Sequence, residues 1–127
     1  MADLIYKDLS YKIIGIAFEV YNSLGSGLKE KDYGNAFEEI LKAEGIKYKR
    51  EIYYPIKIRG KVIGKNYFDF LIEDKIIIEL KCGNSRYREA CSQLFEYVKV
   101  SKLDLGIIIR FTKDDVKYKR IPFIPQD

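Results

Sequence analysis

The sequence predicts an α/β fold, a mixed sheet flanked by helices, with its elements in the order ααβββαββ. Three observations carry this. Apolar residues recur at three- and four-residue steps from Asp8 to Leu24, which is the helical period. From Ile46 to Ile58 the period becomes two, as in a half-buried strand. A later helical stripe, Ala90, Leu94, Tyr97 and Val98, then separates three strands from two more.

Each element has its own signal. Leu9, Ile13, Ile16, Ala17, Val20, Tyr21 and Leu24 form the first apolar stripe, and Gly25 stops that helix. Gly25-Ser26-Gly27 turns the chain into a second helix, from about Glu30 to Glu44, with Tyr33, Phe37, Ile40 and Leu41 as its stripe and Gly45 as its stop. A glycine pair before a helix can cradle phosphate, but this one lacks the lysine-serine or third-glycine context of phosphate loops. That favours a plain interhelical turn. Pro55 marks the strand from Ile46 to Ile58 as an edge or a bulge, and Arg59-Gly60-Lys61 reads as a hairpin turn. Gly64 punctuates the approach to a strand from Asn66 to Ile72. A turn at Glu73-Asp74-Lys75 leads into Ile76 to Cys82, completing a three-stranded meander. Gly83-Asn84-Ser85 breaks the sheet, a helix runs to about Val100, and strands follow from Leu103 to Phe111 and from Val116 to Ile124. The first of this last pair is apolar enough to be central.

With 127 residues, 47% of them apolar, the chain is expected to form one domain, 1–127, around a single core. No stretch has the eighteen or so continuous apolar residues of a membrane span, and the amino terminus, with Asp3, Lys7 and Asp8, lacks a signal-peptide pattern. The expected location is the cytoplasm, with no membrane partner. The absence of histidine removes Ser-His-Asp and Cys-His nucleophilic sites and histidine-containing zinc sites. Carboxylates, lysines, tyrosines and oxygen-loving cations remain, so Mg²⁺ or Mn²⁺ is the cofactor to expect. A formal charge of +4 implies mild attraction to polyanions. If several carboxylates gather at one site, the rest of the surface is more basic than that average, which suits a phosphodiester substrate.

The chemistry concentrates between Phe68 and Lys81, where Asp69, Glu79 and Lys81 interrupt apolar β-type runs. Buried charges of this kind persist when paired, exposed or bound to metal. Strand residues two apart share a face, so Glu79 and Lys81 share one. A three-residue connection, Glu73 to Lys75, pairs Ile72 with Ile76 and so brings Asp69 level with Glu79; a two-residue connection puts the carboxylates on opposite faces. Two opposed carboxylates repel, and a divalent cation between them converts repulsion into coordination. Lys81 then supplies positive charge beside a scissile phosphate. The competing reading is an ordinary strand in which Glu79 and Lys81 lie on a solvated face and Asp69 faces a neighbouring lysine.

Asp69 followed by Glu79-Leu80-Lys81 in a β-hairpin flanked by helices resembles the restriction-endonuclease-like core of the PD-(D/E)XK nuclease superfamily. Gln93-Leu94-Phe95-Glu96-Tyr97 is similar to the Q-x-x-x-Y element of its RecB-type members, and Gly27-Leu28-Lys29-Glu30-Lys31-Asp32-Tyr33 resembles the motif of the GxxExxY family. The likeness runs from about Ile13 to Phe123. It implies Asp69 and Glu79 as metal ligands, Lys81 as the catalytic lysine, Glu30 as a carboxylate completing the metal shell or holding a water, and Gln93 and Tyr97 as groups that position the lysine or the nucleic-acid backbone. Phe68 stands where the superfamily motif has proline, and Ser26 and Lys29 stand where many GxxExxY members have proline and leucine. The implied activity is Mg-dependent hydrolysis of phosphodiester bonds in nucleic acid, DNA first. Competing roles are a non-catalytic module that binds nucleic acid or protein, and a junction-resolving endonuclease acting as a homodimer. Glu38 and Glu39 are alternative helix carboxylates, and Cys82 and Cys91 read as small buried residues. Lys47-Tyr48-Lys49-Arg50 and Lys117-Tyr118-Lys119-Arg120 interleave charge with aromatics, as backbone-binding surfaces do.

Overall fold

The computed structural model describes residues 5–84 and 86–123. Helices α1 (Lys7–Leu24) and α2 (Glu30–Ala43) precede five strands: β1 (Tyr48–Tyr53), β2 (Ile56–Ile58), β3 (Lys61–Gly64), β4 (Tyr67–Ile72) and β5 (Ile76–Cys82). Helix α3 (Tyr87–Ser101), β6 (Leu105–Phe111) and β7 (Val116–Pro122) follow. Ser85 and Ile124, assigned above to a break and a strand end, lie outside the described residues.

Five strands form one mixed sheet in the order β1-β4-β5-β6-β7. β5 and β6 are parallel, as the α3 crossover between them requires, and every other neighbouring pair is antiparallel. Helices α1 and α2 cover one face, where Ile13, Val20, Phe37 and Leu41 pack on Phe70, Ile78, Leu80 and Ile107. Helix α3 covers the other, where Ala90, Leu94 and Val98 meet Ile77, Ile108 and Ile121. β6 is buried along almost its whole length, as the Leu105 to Ile109 run predicts.

The elements of this sheet and its helices keep the expected order ααβββαββ, with β2 and β3 inserted as a separate two-stranded ribbon. The single strand expected from Ile46 to Ile58 therefore breaks in two. Pro55 has no N–H to continue a ladder, and the last rung before it is the Tyr54 N–H donating to the Asn66 carbonyl at 2.7 Å. Beyond that rung Ile56–Ile58 and Lys61–Gly64 pair, among the described residues, only with each other. Arg59 and Gly60 both have positive φ, 48° and 79°, the turn whose twist suits a two-residue hairpin.

Gly106 sets how closely α3 approaches β6. A Cβ there would sit 2.9 Å from Leu94 Cγ, 3.0 Å from Val98 Cγ2 and 3.1 Å from Ile77 Cγ2, all in buried side chains. Gly106→Val is expected to lower stability by about 1–3 kcal/mol through overpacking. Urea denaturation checks this, and an unchanged midpoint would show that α3 does not rest on this glycine.

Candidate active site

The β4–β5 hairpin sets the geometry. Ile72 pairs with Ile76, Leu71 with Ile77 and Phe70 with Ile78, the register of a three-residue connection. Glu73 and Asp74 occupy the left-handed region there, with φ of 53° and 57°, and the Lys75 N–H donates to the Ile72 carbonyl at 2.9 Å. Contacts to the start of β1 offset that strain: the Lys47 N–H donates to Glu73 Oε2, and Lys47 Nζ stands 2.9 Å from Asp74.

Past Phe70 and Ile78 the backbone ladder stops. The Leu80 N–H donates at 2.7 Å to the Asp69 carboxylate, which stands between the two strands at this level. The matching position of β1, Glu51, has φ 60° and drops out of the β1–β4 ladder, which resumes at Ile52 and Phe68. The β1–β4 pair turns over at this level. Phe70 packs toward α2, whereas Phe68, two residues away, packs toward α3 against Leu94 and Tyr97.

Glu79 stands level with Asp69, on the α3 side of β5. Its side chain is 13% exposed, and Oε1 is buried without a hydrogen-bond partner. Burial, reinforced by the Asp69 charge, a hydrogen bond with Asp69 and the charge of Glu30, pushes its pKa from 4.5 up to about 9. The Lys81 ammonium, 3.8 Å from Glu79 Oε2, pulls in the opposite direction without prevailing. Without a bound metal Glu79 is therefore a neutral acid near neutral pH.

The other predicted residues are placed differently. Glu30, the first residue of α2, accepts the Cys82 N–H at 3.1 Å at the end of β5. Gln93 Oε1 accepts the Asn66 amide at 2.9 Å, and Tyr97 packs among Tyr54 and Phe68 with its hydroxyl pKa raised by burial. Among the described residues neither Gln93 nor Tyr97 forms a hydrogen bond with Lys81 or Glu79. Glu38 accepts Tyr48 Oη at 2.7 Å and Arg50 Nη1 at 2.9 Å, joining α2 to the edge strand β1, and Glu39 pairs with Lys42. Cys82 and Cys91 are half-buried free thiols.

Arg110 escaped sequence reasoning. In the parallel β5–β6 ladder it lies beside Lys81, so two cations share one sheet face. Its guanidinium stacks 4.3 Å over the Tyr87 ring and donates to Asn84 Oδ1 at 2.7 Å, while its buried Nε has no partner. A charge ending the apolar run Leu105 to Ile109 was its only signal, the same signal that marked Lys81.

Two carboxylates level with each other across the parted strands, one with a buried, unpartnered oxygen, form a donor set suited to a hard divalent cation, which needs only one or two protein carboxylates beside waters and substrate oxygens. Among the described residues no cluster of three or more His, Cys, Asp or Glu side chains is close enough to hold a metal, so Glu30 does not complete a triad with Asp69 and Glu79. A family profile, the PD-(D/E)XK nuclease superfamily, matches residues 7–121. The chain belongs to this superfamily. Members of the superfamily are typically nucleases and generally use divalent metals. A solved structure, the crystal structure of SSO0001, is 25% identical with a TM-score of 0.55. The match covers 76% of this chain and 50% of that one, so the chain spans about half of its length. No curated protein matches the chain.

The raised Glu79 pKa has a definite sign. The folded, metal-free PD-(D/E)XK chain keeps a proton that the unfolded chain releases above pH 4.5, so stability falls as pH rises from there toward about 9. Glu79→Gln removes this dependence. Melting temperatures measured in chelator should favour the variant progressively from about pH 5 to about pH 9. Parallel curves for the two proteins would show that Glu79 does not carry the buried proton.

Proposed function

We propose that the chain is a divalent-metal-dependent nuclease that hydrolyses phosphodiester bonds in DNA, with Mg²⁺ or Mn²⁺ held by Asp69 and Glu79. The observation that supports this most is the placement of these carboxylates level with each other where the β4–β5 ladder parts, with Glu79 Oε1 buried and unpartnered and Lys81 Nζ 3.8 Å from Glu79 Oε2. When bound there, a divalent cation supplies charge neutralisation at the phosphoryl group and a more acidic water. Asp69 and Glu79 would hold it, Glu79 in its deprotonated form. Lys81 stabilises the charge that builds on the phosphoryl oxygens and orients the attacking water. Arg110, beside it, binds the flanking phosphate.

Glu30 acts from outside this pair, positioning the end of β5 through the Cys82 N–H and offering its free oxygen to a water. Gln93 positions the start of β4 through Asn66, and Tyr97 holds the α3 side of the site through its packing on Phe68. Within the superfamily we place the chain in the GxxExxY family. Its motif residues have a shared physical role that supports this. Gly27 takes φ 89°, Glu30 reaches the Cys82 N–H, and Tyr33 donates to the Gly25 carbonyl at 2.7 Å while stacking 4.1 Å from Phe111. Together they hold the α1–α2 loop against the ends of β5 and β6.

Purified protein incubated with plasmid, single-stranded and branched DNA should cleave only when Mg²⁺ or Mn²⁺ is added. Glu79→Ala should abolish cleavage, and Lys81→Ala should slow it by about 10²-fold or more. Cleavage that survives both substitutions assigns the chemistry to another site. Metal-independent, salt-sensitive DNA binding without cleavage assigns the chain to the non-catalytic alternative.

A further inference from the structure

Among the described residues the β2–β3 ribbon pairs with no other strand. It leaves the main sheet at Tyr54 and rejoins it at Asn66, and all its strand residues except Gly64 are exposed, Ile58 by 61% and Ile63 by 66%. Nothing in the stability of the sheet explains keeping Ile56, Ile58, Val62 and Ile63 in water. The charge is as uneven as the hydrophobicity. Between Pro55 and Asn66 stand Lys57, Arg59, Lys61 and Lys65 and no acidic residue. The other 19 basic residues of the chain balance its 19 acidic ones, so this segment holds the entire formal excess of +4. Among the described residues none of the four cations is in an ion pair. The ladder couples the two properties, placing Lys57 opposite Val62 and Ile58 opposite Lys61.

We propose that the β2–β3 ribbon is a DNA-binding arm that lies in the major groove of a B-form duplex. A two-stranded ribbon fits a groove about 12 Å wide, where lysine and arginine reach phosphates and guanine edges and β-branched side chains meet thymine methyls. The deep, narrow major groove of duplex RNA does not admit it. A second copy of the chain is a poor occupant, because two ribbons of +4 repel, whereas a polyanion neutralises them. The arm is also in the right place. Asn66, at its base, lies three residues before Asp69, roughly 10 Å along an extended strand. Its amide is bound to Gln93 of α3, the helix that covers the Lys81 face. The inference rests on the nuclease reading for the position of the scissile strand, but not for binding itself.

The test is fluorescence anisotropy with a labelled 20-base-pair DNA duplex and the RNA duplex of the same sequence, in chelator so that nothing is cut. Wild-type protein should prefer DNA by about tenfold or more. Replacing Lys57, Arg59, Lys61 and Lys65 by glutamine together should weaken DNA binding at least tenfold and lower the log–log salt slope by about three to four, with little effect on RNA. Arg59→Gln and Lys61→Gln singly, both at exposed positions, should each lower the slope by about one, which keeps the test open if the quadruple variant folds poorly. Unchanged DNA affinity and slope in these variants, with an unchanged melting temperature, would overturn the proposal. An equal loss on RNA would overturn groove entry as its basis. So would Ile58→Ser with Ile63→Ser converting a wild-type dimer into a monomer while DNA affinity holds. Arm-dependent DNA binding without cleavage in Mg²⁺ or Mn²⁺ removes the nuclease reading and leaves the arm standing. Cleavage with arm-independent binding does the reverse.

Discussion

A single hydrogen bond, from the Leu80 N–H to the Asp69 carboxylate, governs the arrangement of this molecule's charged centre. In an uninterrupted antiparallel pair the donor at that level would belong to a backbone carbonyl. Giving it to a side chain parts β4 from β5 without orphaning the N–H, and the gap is filled by carboxylates instead of by a ladder. β5 meanwhile stays paired with β6 as far as Cys82 and Phe111, so Glu79 and Lys81 project from a strand that is held on one side and released on the other.

The surrounding structure makes that release tolerable. A half-open hairpin in a sheet would admit water, but Phe68 turns toward α3 at this level and packs there with Tyr54 and Tyr97. The close seat of α3 on Gly106 brings the same helix over the sheet face that carries Lys81 and Arg110. Burial pushes the Glu79 pKa up to about 9, and under the proposed function a divalent cation would take the place of the proton it retains. On the opposite face, Tyr33 and Glu30 clamp the loop before α2 to the ends of β5 and β6, so both helical layers converge on one end of the sheet.

Elements with a strong period or a definite turn were legible along the chain. The helical stripes of α1, α2 and α3, the buried β6 and the position of the turn near Glu73 to Lys75 follow from local rules, because side-chain period and turn residues are local quantities. Alternation alone could not separate β1 from β2. Ile52, Tyr54, Ile56 and Ile58 keep the same spacing on both sides of Pro55, and only the absence of a neighbouring strand beyond Tyr54 shows that the second half has left the sheet. Phe68 and Phe70 mislead in the same way, since two residues apart means one face only while a strand stays regular.

What the sequence determined by itself was the set of elements and the restriction of any chemistry to carboxylates, lysines, tyrosines and hard cations, since a chain without histidine has few other choices; the register of the β4–β5 hairpin came from the structure. Tertiary structure decided which charges meet. Glu30 reaches the end of β5 but does not join Asp69 and Glu79 in a cluster of three, Glu38 is taken up by Tyr48 and Arg50 at the far edge, and Arg110 comes to lie beside Lys81. These outcomes depend on strand order, on the parallel register of β5 and β6, and on how far each helix is set back from the sheet. All three are properties of packing between segments distant in the chain, and no local pattern of residues encodes them.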